Sequence, residues 1–367
     1  MDLLTIIILS LMVLYVLYVI LERVLINKMR KSFKYVIHVN GTRGKSTTTR
    51  LIDAGFRACG YKVYSKTTGT FPTVINTKNE SHVIKRLGNA NIREQIKTMF
   101  WAYKEKAEVL VIECMAINPE LQYVCEHEIL NSDVVVITNV RPDHLGDMGD
   151  NLEEIAKALS NTIPKKGIAI IDSDEYLDIF ESKAKNTNSQ IVISKPYVGA
   201  SDFGTFKDNI ANALEVARVL NLDVDKFYDG FNYYKHDDGA YKEIKYNDTL
   251  FMNALSVNDP ESILIVYDKA TQNINKEEVT ILLNTRDDRA TRTLQYIEML
   301  PKMKCKKIIV MSDNAYRLYR KHNIDVIKYT NNNDLLEEKY IFATGNIAGR
   351  GEMVLKWFEE VGEVHES

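Results

Sequence analysis

The most chemically loaded stretch of the chain is His38–Arg50, which reads HVNGTRGKSTTTR. Gly41 and Gly44 permit tight backbone turns that aim N–H groups at one point, as a polyphosphate requires. A helical pattern opens at Lys45, so the positive end of a helix dipole points at the same place. Lys45 is long enough to reach outer phosphates, and the Ser46 hydroxyl suits Mg²⁺. Gly41, Thr42, Arg43, Gly44, Lys45, Ser46 and Thr47 are therefore the expected phosphate and nucleotide contacts. The general pattern G-x-x-x-x-G-K-[ST] is incomplete, because Val39 occupies the place of its first glycine. A chance turn is the alternative reading.

Further polar residues stand where apolar runs end. EVLVIEC (Glu108–Cys114) ends in the carboxylate Glu113, and DVVVITN (Asp133–Asn139) runs into Val140-Arg-Pro-Asp-His144. In an open parallel sheet, ligands collect at the carboxyl ends of strands. Glu113 and His144, with Ser46, form the expected magnesium set, although histidine is an uncommon magnesium ligand and His144 also fits a capping or core role. Asn209 and Asn212 lie three residues apart in DNIANALEVARVL (Asp208–Leu220), so they share one helix face. Asparagine is a poor helix-interior residue but reads a base through its amide, and helix capping is the plainer explanation.

Alternating strands and helices must position these groups. A strand over Tyr35–Val39 feeds the loop, a helix spans Thr47–Gly60 and a strand Tyr61–Tyr64, and Ser65–Pro72 reads as a polar loop, either substrate-facing or solvated. Helices are expected over Ile92–Lys106 and Asn151–Ile163, and strands over Ile168–Ile171 and Ile191–Ile193. Composition turns polar across Tyr233–Tyr246, which sets the expected boundary between domains 31–236 and 237–367. Beyond it, strands are expected over Leu250–Leu255, Ile263–Tyr267, Val279–Asn284, Lys307–Met311 and Tyr340–Ala343, and helices over Arg289–Leu300 and Gly351–Val361. The alternation implies a second α/β domain, and Gly362–Ser367 reads as a disordered tail.

A length of 367 residues suits about two domains, and 45% hydrophobic content supplies a real core. The net charge of −3 argues against a nucleic-acid partner. The four scattered cysteines form no C-x-x-C pair and read as reduced thiols. Leu3–Leu21 carries no charge and is long enough to cross a bilayer, with a buried helix as the alternative. Arg23, Lys28, Arg30, Lys31 and Lys34 follow it, so a single-pass N-terminal anchor (1–30) with a cytoplasmic body is expected. No basic segment precedes the run, which fits a cleaved signal peptide poorly.

The order of these pieces resembles the Mur ligases and folylpolyglutamate synthetases. The resemblance rests on GTRGKS at Gly41–Ser46, the strand ending in Glu113, TNVRPDHLGDMG at Thr138–Gly149, DNIANA at Asp208–Ala213 and NDPES at Asn258–Ser262. Within that family the chain is most similar to the catalytic subunits of poly-γ-glutamate synthetases, the B-type capsule-synthesis ligases. Arg43 in the loop, Asp259 before Pro260, NTRDDRA at Asn284–Ala290 and the N-terminal anchor carry that likeness. The chain departs from Mur enzymes at Asn253, where they carry aspartate, and no motif places their carbamylated lysine.

The resemblance implies an α/β fold: an N-terminal transmembrane helix, a P-loop-type central ATPase domain on a mostly parallel sheet, and a smaller Rossmann-like C-terminal ligase domain. It implies ATP-dependent, Mg²⁺-dependent amide formation through an acyl phosphate, polymerising glutamate with release of ADP and phosphate. Lys45, Glu113 and His144 become the expected catalytic residues, Asn209 and Asn212 the adenine contacts, and Arg286 and Asp287 further nucleotide contacts on a closing domain. Expected partners are glutamate, the growing polyglutamate chain, the membrane, and multi-span and surface-facing subunits of a capsule-synthesis complex. A Mur- or folate-type ligase adding single amino acids, and a membrane-anchored nucleotide-switch ATPase, stay open as alternatives.

Overall fold

The strands of a parallel sheet are covered on both faces, so they read as continuous apolar runs rather than alternating ones. Val109–Glu113 (VLVIE) and Val134–Ile137 (VVVI) are wholly buried in this computed structural model, which describes residues 3–69, 72–86, 88, 90–142, 146–199, 201, 206–236, 241–257, 259–287 and 290–365. Packing divides the chain into two compact units, Met1–Lys235 and His236–Ser367.

The first unit opens with α1 (Leu3–Arg30), β1 (Tyr35–Asn40), α2 (Lys45–Ala58), β2 (Val63–Thr67), β3 (Thr73–Ile75) and β4 (Ser81–Val83). It continues through α3 (Arg93–Lys104), β5 (Val109–Glu113), α4 (Pro119–Val124), a π-helical turn at Cys125–Leu130, β6 (Val134–Ile137) and α5 (Leu152–Ser160). It closes with β7 (Ile168–Ile171), α6 (Leu177–Thr187), β8 (Gln190–Ile193), α7 (Lys207–Val219) and α8 (Val224–Asp229). The sheet runs β4-β3-β2-β5-β1-β6-β7-β8, parallel except for the β3 and β4 edge. β1 lies between β5 and β6, where the winding reverses and a crevice opens at the strand's carboxyl end.

Successive residues of β1 serve opposite faces, as the pleat requires. Ile37 and Val39 join Leu51, Ile52 and Phe56 of α2 and Phe227 of α8. Val36 joins Met99 and Ala102 of α3 and, from α1, Ile26 and Met29. The last two turns of α1 therefore belong to the core of the body, while Leu3–Leu21 stays largely exposed. Among the described residues α1 is the one helix long and apolar enough to cross a membrane.

The second unit contains β9 (Lys242–Tyr246), β10 (Thr249–Ala254), α9 (Pro260–Ala270), β11 (Val279–Leu283), α10 (Ala290–Met299) and β12 (Lys307–Val310). It ends with α11 (Asp313–Lys321), β13 (Ile327–Lys328), α12 (Asn333–Leu336), β14 (Tyr340–Thr344), α13 (Arg350–Val361) and β15 (Glu363–His365). Its sheet runs β13-β12-β11-β14-β10-β9-β15, with β9 and β15 antiparallel.

The fold corrects the sequence reading in three places. Ile263–Tyr267, expected as a strand, lies within α9. Asp259 caps that helix by accepting the Ser262 N–H at 2.9 Å, and Pro260 stands in its first turn, so the start signals outweigh the β-branched run. Ser65–Thr67, expected in a loop, complete β2, where Lys66 pairs with Ile112 of β5. Glu363–His365, expected to be disordered, pairs antiparallel with β9.

An enclosed ionic cluster holds the start of α3 against β2. The Lys66 ammonium is fully buried and lies 2.7 Å from Glu94 Oε1 and 2.9 Å from Gln95 Oε1. Arg86 grips Glu94 with two hydrogen bonds of 2.8 and 3.0 Å. Burial pushes the Lys66 ammonium down, against the pull of Glu94. Burial pushes the Glu94 carboxyl up, but the Arg86 hydrogen bond and the Lys66 charge outweigh it and leave it at about 2. A carboxyl lowered on folding stabilises above its unfolded value near 4.5 and loses that contribution as pH falls towards 2. Glu94→Gln should therefore cost about 3 kcal/mol near neutral pH. The gap from wild type should close between pH 4.5 and 2 in urea denaturation of the detergent-solubilised chain; a pH-independent gap would remove ionisation as its cause.

Candidate active site

β1 delivers the chain to a loop with two left-handed glycines, Gly41 at φ 123° and Gly44 at φ 77°. Space is as restrictive as conformation. A Cβ on Gly41 would lie 2.1 Å from Thr138 Oγ1, and one on Gly44 would lie 2.1 Å from Asn209 Oδ1. α2 begins at Lys45, so the helix N-terminus opens directly on the loop. Lys45 Nζ folds back over it, donating to the carbonyls of Gly41 at 2.7 Å and Thr42 at 3.2 Å. Thr47 sits half-buried in the first turn of α2.

Asn139, two residues beyond β6, clamps this loop. Its Oδ1 accepts from Thr42 Oγ1 at 2.7 Å and from the Arg43 N–H at 2.9 Å. Its Nδ2 donates to the Arg43 carbonyl at 3.1 Å. Thr138 Oγ1 donates to the same carbonyl at 2.5 Å, and the Arg141 N–H donates to Thr42 Oγ1 at 2.9 Å. The sequence marks Asn139 only as a polar residue at a strand end; the clamp needs the loop folded beside it.

Glu113 ends β5, directly opposite Val39 of β1. Its carboxylate is buried, and Oε2 accepts from Ser46 Oγ at 2.8 Å and from the Thr68 N–H at 2.6 Å. Gln95 Nε2 donates to the Glu113 carbonyl at 3.0 Å, so the Lys66–Glu94 cluster also braces this strand end. Gln95 carries no signal in the sequence, and Thr68 is marked there only as part of the Ser65–Pro72 stretch, read as substrate-facing or solvated. A carboxylate beside a serine hydroxyl is an oxygen donor set suited to a hard divalent cation. Among the described residues no three or more His, Cys, Asp or Glu side chains converge on a metal position. Such a site suits magnesium, which is held through one or two carboxylates with phosphate oxygens and water completing the shell. His144, with Asp143, lies outside the described residues.

Asn209 and Asn212 are buried in α7 against the loop. Thr48 Oγ1 lies 3.4 Å from Asn209 Oδ1, and Asn212 Nδ2 donates to the Thr138 carbonyl at 3.3 Å. Among the described residues, the Asn212 Oδ1 is buried without a hydrogen-bond partner. Arg286 and Asp287 belong to the second unit. Arg286 lines a small pocket at the carboxyl ends of β11 and β14 with Asn284, Thr285 and Asn346, and Asp287 accepts from Ser312 Oγ at 2.8 Å. The first unit thus gathers Gly41–Thr47, Glu113, Asn139, Asn209 and Asn212 at one sheet edge.

Comparison with known proteins gives this arrangement a lineage. Residues 39–219 match the Mur ligase middle domain, and residues 240–361 match the poly-gamma-glutamate synthase CapB C-terminal domain. The chain is 30% identical to the capsule biosynthesis protein CapB of Bacillus anthracis, over 95% of this chain and 82% of that protein. It is also 30% identical to the PGA synthase CapB of Bacillus subtilis (strain 168), over 88% of this chain and 90% of that one. E. coli FolC in complex with ADP shares the fold with a TM-score of 0.71 at 15% identity, covering 93% of this chain and 94% of FolC. A Mur ligase middle domain followed by a CapB C-terminal domain, in a chain similar to CapB proteins over most of its length, means that this protein belongs to the CapB family of poly-γ-glutamate synthases.

Proposed function

We propose that the chain is an ATP-dependent ligase that polymerises glutamate into poly-γ-glutamate at the cytoplasmic face of a membrane. The observation that carries this reading is the junction of the Gly41–Ser46 loop with Glu113, where the Ser46 hydroxyl at the start of α2 donates to the buried Glu113 carboxylate at 2.8 Å. A carboxylate does not condense with an amine unaided in water. In the proposed reaction a substrate carboxylate oxygen attacks the γ-phosphorus of ATP, and ADP leaves. The amine of the next glutamate then attacks the acyl carbon, phosphate leaves, and an amide forms as the amine proton is lost.

The chain's own residues position and neutralise rather than react. Backbone N–H groups of the loop and the Lys45 ammonium would take the β- and γ-phosphates. Ser46 and Glu113 would hold Mg²⁺, which supplies charge neutralisation at the transferring phosphate, and we assign His144 to a second cation. Asn209 and Asn212 would set nucleotide affinity: Asn209 abuts the loop at Gly44, and Asn212 holds the Thr138 carbonyl beside it. Arg286 and Asp287 are assigned to nucleotide contacts on a closing surface. α1 would place the ligase beside the multi-span and surface-facing subunits that carry the polymer outwards.

Membranes carrying the protein and its partners, given ATP and labelled glutamate, should incorporate label into polymer as phosphate is released; hydrolysis without an amide product would overturn the ligase reading. Lys45→Ala or Glu113→Ala should lower polymer formation by about 10²–10³-fold, the cost of one charge-stabilising group, with circular dichroism unchanged. A wild-type rate in either variant would remove that residue from the mechanism. Replacing both Asn209 and Asn212 with alanine should raise the KM for ATP at least tenfold while kcat changes less; unchanged ATP binding would refute their assignment.

A further inference from the structure

The contacts of α1 fix which edge of the first unit points at the membrane. α1 and α3 run side by side in the same direction. At one end of their shared stretch Glu22 pairs with Arg93, with Oε2 3.2 Å from Nη1, and the Tyr18 hydroxyl lies 2.7 Å from Arg93 Nη2. Further along, Ile26 and Met29 of α1 join the same buried cluster as Met99 and Ala102 of α3. At the other end Arg30 donates to the Asn131 carbonyl at 2.7 Å and to Asp133, the residue just before β6, at 2.7 Å. The Lys34 N–H meets the carbonyl of Glu108, just before β5, at 2.7 Å. Arg30 and the turn after it therefore mark the amino edge of the sheet.

Arg93 marks the opposite edge. One residue on, Glu94 pairs with Lys66, the penultimate residue of β2. Gln95, about 3 Å along the helix axis from Arg93, donates to the carbonyl of Glu113, the last residue of β5. The lengths agree. Glu22 to Arg30 spans about 12 Å of helix, and β5 spans about 13–17 Å of strand. The apolar run continues from Glu22 away from Arg30, so it leaves the body past the carboxyl edge. Leu3–Leu21 is about 28 Å long as a helix, close to the roughly 30 Å of a hydrocarbon core.

We infer that the carboxyl edge of the first sheet, with the Gly41–Ser46 loop and Glu113, faces the bilayer, and that the amino edge faces away from it. The headgroup layer borders this edge on the α1 side, where the Tyr18–Glu22–Arg93 contact brings it level with the strand ends, and the crevice itself is left to the nucleotide and the closing surface. The reaction then takes place against the membrane, and an acidic product emerges towards it. The orientation rests on the proposal that α1 spans a membrane and is independent of the reaction catalysed.

The test uses the full chain with Cys59 and Cys305 replaced by serine. A single new labelling site is introduced by Glu120→Cys, in the first turn of α4 beyond β5, or by Lys104→Cys, at the end of α3; both positions are exposed. Each protein carries a donor dye and is reconstituted into liposomes with acceptor-labelled headgroups in both leaflets, which makes the direction of insertion irrelevant. Energy transfer from position 120 should exceed that from position 104 several-fold. Equal or reversed transfer in protein that floats with the liposomes overturns the orientation alone. Protein that fails to float overturns the anchor and the orientation together, and neither result depends on glutamate incorporation.

Discussion

A phosphate loop works only if its backbone is held in one conformation before the ligand arrives, and here that constraint is steric. At Gly41 and Gly44 both the left-handed backbone and the lack of room require a hydrogen in place of a side chain. Thr138 and Asn139 beyond β6 close the space at Gly41 and also tie the loop down, and Asn209 from α7 closes the space at Gly44. They come from two distant parts of the sequence, so the loop is formed correctly only when β1, β6 and α7 are packed together. The crevice where β1 meets β5 and β6 is thus a consequence of the strand order as well as a place for a ligand.

The side of the crevice facing β5 is polar to a depth unusual for a core. Lys66, Gln95 and Glu113 are all buried, and hydrogen bonds link Lys66 to Gln95 and Gln95 to the end of β5. Buried polar groups hold a unique geometry when satisfied and destabilise strongly when they are not. Glu113 receives two donors on one oxygen, which fixes its carboxylate beside Ser46. The chain itself therefore holds this carboxylate in one position before any ligand arrives.

Much of the architecture was legible because the strand runs are dense in valine, isoleucine and leucine and the helices between them are amphipathic. Gly41–Ser46 and the strand-end position of Glu113 could be read for the same reason: glycine, lysine and a carboxylate at the end of an apolar run have few structural explanations. Gln95 was not legible as a site residue, and Thr138 and Asn139 were legible only as a strand end and part of a motif, since their contacts with the loop are made only when distant segments meet. Ile263–Tyr267 is rich in strand-forming side chains, yet it is helical because Asp259 and Pro260 set the backbone of α9 ahead of it. Ser65–Thr67 misled in the opposite sense: their polarity suggested a loop, whereas Lys66 is a strand residue whose charge is neutralised by Glu94.

The short strand β15 has a consequence for solubility. Without it, β9 would present a free row of N–H and C=O groups at the border of the second sheet, open to pairing with any extended chain nearby. A protein that handles a growing, extended amide polymer has particular need to keep such a border shut. By pairing across Glu363–Lys245 and His365–Glu243, the last described residues serve as a selvage that replaces a five-residue border with one of three residues, a shorter template for further strands.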